Sequence, residues 1–189
     1  MNRKCLQKFQ IKDVVFLAIM SAVALATCAV MPLVISLQPL IFGISQLVTA
    51  LQIGVFFAIG LYKVRKPGSL LLMALMMGLI QLMMSPPMFL SSVLNGVLIE
   101  LIVLLLFRGY EKDAAVFVAA MLHTPLSLPF NYLYNRLIKG ADSPLAAVAD
   151  RAPLAAVGMT LAVVAVSALG ALIGIKIARE LKKSGVLKK

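Results

Sequence analysis

Residues 81–109 read QLMMSPPMFLSSVLNGVLIELIVLLLFRG. A Ser-Pro-Pro break separates two long apolar runs, and Glu100 lies inside the second with Leu and Ile on either side. Apart from His123, it is the only ionisable side chain well inside any apolar span of the chain. A carboxylate at that depth costs about 2.5–3.5 kcal/mol on insertion scales unless it faces a bundle interior, so it marks a candidate functional site.

The surrounding composition names the solvent. Of 189 residues, 62% are hydrophobic and 13% charged, with a mean hydropathy of +1.03. A water-soluble domain of this length has no use for so much apolar surface, whereas six spans of about 20 residues fill it. The expected fold class is an all-α integral membrane protein with six transmembrane helices in one domain over 1–189. Pattern and breakers place the helices at about 12–31, 44–62, 68–84, 88–107, 114–137 and 153–181. The first stretch starts basic and turns apolar like a cleavable signal. Its apolar character runs on past Cys28 with no polar start, so it is read as a retained span. Cys5 and Cys28 differ in reach and compartment and are not expected to pair.

Charge sets the orientation. Arg3, Lys4, Lys8 and Lys12, then Lys63, Arg65 and Lys66, then Arg108 and Lys112, and the six basic residues from Lys176 onward share one side. Arg136, Lys139 and Arg151 lie on the other. Fifteen of 18 basic residues on one face predict that both termini are cytoplasmic. The net charge of +11 is thus topological, and nucleic acid is not an expected partner.

Several polar residues converge on the outer halves of the expected helices. Ser92, Gly96 and Glu100 are spaced by four with Asn95 beside them, and Glu100 lies roughly 18 Å below the helix start. His123, Ser127, Asn131 and Asn135 form a second series, in a helix that Pro125 and Pro129 are expected to kink. Gln46, Gln81, Ser92, Asn95, Asn131 and Tyr134, with Glu100 and His123 beneath, predict a small-molecule pocket open to the outside. The uncharged stretch PLVISLQPLIFG at 32–43 is read as its re-entrant or capping loop. Hydrogen bonding between helices is the alternative use of such residues. Glu100 and His123 together would also suit a proton relay in an ion-coupled carrier of a small nitrogenous or apolar solute. No nucleotide-binding glycine loop, zinc-protease motif or nucleophile elbow is present. Neither an enzyme, a cofactor nor a metal is expected.

The six-helix plan, the Ala18, Ala22 and Ala26 row on the first helix and the apolar first outer loop resemble an S component. S components are the substrate-binding membrane subunits of energy-coupling factor (ECF) vitamin transporters. The RKPG turn at 65–68 and the NGVLIEL run at 95–101 are similar to the subgroup associated with thiamine and its hydroxymethylpyrimidine precursor. The resemblance implies a high-affinity vitamin-binding subunit of an ABC importer in a prokaryotic cytoplasmic membrane. It also implies partners: a transmembrane coupling subunit, docked through Ala18, Ala22 and Ala26, and two ATPase subunits. In that reading Glu100 holds an aminopyrimidine or offsets a thiazolium charge.

Overall fold

Prolines and glycines set most of the helix ends. The computed structural model describes residues 8–28, 30, 33–34, 36–140 and 143–185. Among them, helix α1 is Ile11–Thr27, α2 Ile44–Val64, α3 Ser69–Leu82, α4 Pro86–Phe107, α5 Asp113–Leu137, α6 Pro144–Arg151 and α7 Pro153–Lys183. Proline opens α4, α6 and α7, where the missing N–H would have no intrahelical partner anyway. Gly43 and Gly68 enter α2 and α3 at φ 76° and 90°, a conformation that a side chain disfavours.

α2 is the axis of the bundle. It buries Ala50, Phe57, Ala58 and Leu61 and packs on α7, α5, α1 and α3. Its closest crossing, with α7, is made by glycines. A Cβ on Gly170 would stand 2.5 Å from the Leu51 carbonyl oxygen, and one on Gly174 2.5 Å from that of Val55. In lipid, where burial alone does not drive helices together, such small-residue seams let backbones meet. α1, α3, α4, α5 and α7 follow one another as neighbours, while α2 and α4 make no substantial contact. A space is therefore left between α2 and α4.

The expectation of six membrane-crossing helices is corrected. Seven helices occur among the described residues, and four of them, α2, α4, α5 and α7, are long and apolar enough to cross a membrane. α1 has 17 residues and α3 has 14. At 1.5 Å per residue they reach about 26 and 21 Å, short of a hydrocarbon core of about 30 Å. α1 stops at Thr27 because the Cys28 N–H turns back to the Leu25 carbonyl (3.0 Å). The expected end at Met31 lies outside the described residues. α3 begins only after Gly68, and tight turns from Met83 to Ile80 (3.2 Å) and Met84 to Gln81 (2.9 Å) close it before the prolines. The additional helix, α6, lies between the expected helices at 114–137 and 153–181, where none was expected. Its Asp150 accepts from the Tyr132 hydroxyl (2.7 Å) and from Arg136.

The end that carries the basic turns is cross-linked. Lys66 pairs with Asp13 (2.6 Å), joining the α2–α3 turn to α1. Asp113 pairs with Arg65 and with Arg179 (2.7 Å), joining α2, α5 and α7. At the opposite end the ion pair among the described residues is Arg136 with Asp150.

Candidate solute-binding site

The space between α2 and α4 is a cavity of about 760 Å³. It lies at the end away from the basic turns, between the start of α2, the end of α3, the start of α4 and the second half of α5. Leu25 of α1 and Cys28 just past its end, Gln38 and Pro39 of the turns before α2, and Ser143 to Leu145 at the start of α6 complete its wall. Met77, Met84 and Met88 give it an apolar, adaptable surface.

Seven of the eight residues expected to contact a solute line it: Gln46, Gln81, Ser92, Asn95, His123, Asn131 and Tyr134; Ser127 and Asn135 of the second polar series do so too. Some of the polar lining is already engaged. The Gln46 side-chain carbonyl accepts from Ser45 Oγ (2.9 Å), and Ser92 Oγ donates to the Ala74 carbonyl (2.9 Å). Asn135 donates to the Asn131 carbonyl (2.8 Å) and accepts from Ser143 Oγ (2.9 Å), which ties the start of α6 to α5. Lys139 lies 5.9 Å from the Tyr134 ring centroid.

Deeper in, the situation differs. Asn95 is 1% exposed, Thr124 3% and His123 5%. Asn95 Oδ1, Thr124 Oγ1 and both His123 ring nitrogens have no hydrogen-bond partner among the described residues. His123 rests instead on the Phe57 ring, with centroids 4.5 Å apart. A buried polar atom left unpaired costs about 1–3 kcal/mol. Orphan oxygens also occur on Gln52, Ser69 and Ser167, but none of these lines the cavity, whereas Asn95, His123 and Thr124 share its wall. Whatever fills the cavity can supply the missing bonds.

Glu100 does not line the cavity. Its Oε1 accepts from the Gly68 N–H (2.6 Å) and its Oε2 from the Tyr110 hydroxyl (2.9 Å). It therefore joins α4 to the two basic turns at the far end, and the expectation of a pocket floor at Glu100 is corrected. Burial raises the Tyr110 pKa, and the negative charge and hydrogen bond of Glu100 raise it further, so the phenol stays a donor. The row Ser92, Gly96 and Glu100, spaced by four, is a helix seam. Ser92 bonds Ala74, a Cβ on Gly96 would meet Ala74 Cβ at 2.7 Å, and Glu100 caps Gly68, stepping down antiparallel α3.

Sequence reading missed Thr124, Gln38 and Lys139. Thr124 adjoins His123 and carried a signal of its own as a polar residue before Pro125. Gln38 and Lys139 sit outside regular helices, where periodicity says nothing. On α1, Leu17, Ser21 and Ala24 are buried, whereas Ala22 and Ala26 are exposed and Ala18 half-buried. The alanine row faces away from the bundle.

Helices of this order around such a cavity are similar to a solved structure described as "Crystal structure of an S-component of ECF transporter". The TM-score is 0.64 at 21% identity, over 95% of this chain and 89% of that one. The fold is thus an S-component-like membrane bundle. The chain belongs to the Trep_Strep family, described as hypothetical bacterial integral membrane proteins, whose pattern it matches over residues 11–183. It is a multi-pass membrane protein. No curated protein matches it in sequence.

Proposed function

We propose that the protein is the solute-binding S component of an ECF-type importer for a vitamin or vitamin precursor. The observation that carries this reading is the cavity wall: Asn95 Oδ1, Thr124 Oγ1 and both ring nitrogens of His123 are buried without hydrogen-bond partners among the described residues. Gln46, Gln81, Ser92, Asn131 and Tyr134 are the other proposed solute contacts, and Glu100 is not one of them. Thiamine's pyrimidine precursor or thiamine itself is the solute suggested by the RKPG and NGVLIEL runs, now without the carboxylate contact that Glu100 would have made.

The remaining parts follow the same plan. Both termini are cytoplasmic, by the charge bias, and the cavity opens outward. The chain performs no chemistry; a transmembrane coupling subunit and two ATPase subunits supply the energy. The exposed alanines of α1 are the docking row, since small side chains let a second helix approach closely in lipid. Ala22→Leu is expected to leave solute binding unchanged while cutting coupled uptake and co-purification of the coupling subunit at least tenfold. Undiminished uptake would remove the row from the docking role.

The reading as a whole is tested in proteoliposomes. Solute should bind the isolated chain without ions, but accumulate only with coupling subunits and ATP present. Accumulation by the chain alone, driven by a proton gradient, overturns the proposal in favour of an ion-coupled carrier. That alternative draws less support from the geometry, because Glu100 is held by Gly68 and Tyr110 while His123 faces the cavity.

A further inference from the structure

We propose that the cavity takes an uncharged or anionic solute and rejects a cation, its floor reading a neutral polar edge through Asn95, His123 and Thr124. The inference rests on the solute-binding reading above and narrows it to the uncharged precursor, excluding thiamine itself.

Charge carries the first part. Among the described residues lining the cavity there is no aspartate or glutamate, and the charged side chain there is Lys139. The carboxylate within α4, Glu100, lies outside the lining and has both oxygens engaged by Gly68 and Tyr110. Asp150 is turned to Tyr132 and Arg136 and does not line the cavity either. Asp142, near the mouth in sequence, lies outside the described residues. A solute cation at the floor would give up its hydration without a counter-charge to replace it. Aromatic faces can replace a counter-charge. Here the aromatic lining residues are His123, whose ring rests on Phe57, and Tyr134, which already faces Lys139.

Hydrogen-bonding capacity carries the second part. An amide, a hydroxyl and an imidazole offer donors and acceptors but no negative charge in any protonation state. They match the edge of an uncharged heterocycle or amide, flanked by the Met77, Met84 and Met88 thioethers. An anionic group, where the solute has one, would lie toward Lys139.

Matched probes test the proposal on the purified full chain in detergent at pH 8, by thermal shift and titration calorimetry. One pair is hydroxymethylpyrimidine, uncharged, against thiamine, the same ring carrying a thiazolium. A second is nicotinamide against its N-methyl cation. Small molecules that co-purify with the chain are identified by mass spectrometry alongside. The uncharged member of a pair is expected to bind at least tenfold tighter than its cation. Asn95→Leu and the nearly isosteric Thr124→Val should each weaken it about tenfold without lowering the melting temperature of the unliganded protein. Equal or tighter binding of a cation overturns the inference but leaves the solute-binding reading intact, and Asp142→Asn then reports whether that residue supplies the charge. If no probe binds, the charge of a co-purified solute decides: cationic overturns, neutral or anionic supports. Absence of both probe binding and any co-purified solute overturns the solute-binding reading together with the inference.

Discussion

Gly174→Leu is expected to lower the melting temperature of the detergent-solubilised protein by about 10 °C, corresponding to about 3 kcal/mol. The cause is backbone, not side chain. A Cβ at this position would lie 2.5 Å from the Val55 carbonyl oxygen, 2.7 Å from Ala58 Cβ and 2.9 Å from Val55 Cα. None of those atoms is the end of a flexible chain that could swing away. Relief requires α7 to move off α2, and α2 is the helix on which α1, α3 and α5 also pack. Overpacking of a well-filled interior costs typically about 1–3 kcal/mol, and an obstacle in the backbone belongs at the upper end of that range. Gly158→Leu, on the same helix, is the control: nothing lies within 4 Å of a Cβ there. It should melt like the parent. Equal melting of the two variants would mean that α2 and α7 do not meet backbone to backbone at Gly174.

Glu100 yields the second large effect, in a quantity that sequence alone would not choose. Glu100→Leu removes both acceptors from a fully buried Tyr110 hydroxyl and the Gly68 N–H. Each orphaned group costs about 1–3 kcal/mol, so the expected loss is about 2–6 kcal/mol. Glu100→Gln retains one carbonyl oxygen and should lose about half of that. Solute affinity is the discriminating measurement. In every variant that folds, it should stay within twofold of the parent, because the carboxylate faces the basic turns and not the cavity. A tenfold loss of affinity in Glu100→Gln at unchanged melting temperature would return this residue to the binding site.

These two residues illustrate what a linear reading reaches. Apolar runs flanked by Pro, Gly and charge locate the four long helices to within a few residues, since hydropathy and helix breakers are local properties. The polar character of the cavity was equally legible. Gln46, Asn95, His123 and Asn131 are expensive in lipid wherever they face it, so their gathering in one interior follows from composition and helical spacing. Depth along a helix, however, does not say what stands opposite. Glu100 meets Gly68, 32 residues away, and Tyr110, which folds back across the turn after α4. Neither contact leaves a periodic trace. Nor does hydropathy distinguish a run that spans from one that turns early, which is why α1 and α3 read longer than they are. The short α6 escaped because eight residues carry too little pattern to stand out from a loop.

The shortness of α3 has a consequence for the lipid around the protein. A 14-residue helix falls roughly 9 Å short of a 30 Å hydrocarbon layer, and its neighbour α1 is short as well. α5 and α7, with 25 and 31 residues, are long enough to cross it. The helical part of the apolar surface is consequently lower on the α1–α3 flank, where exposed Val30, Leu33, Met83 and Met84 carry it past the helix ends. A bilayer of uniform thickness must thin at the low flank or let the whole molecule tilt, at a cost of fractions of a kcal/mol per ångström of mismatch. Bilayer thickness is therefore expected to bias the protein's inclination in the membrane, which tilt measurements in bilayers of different acyl length would report.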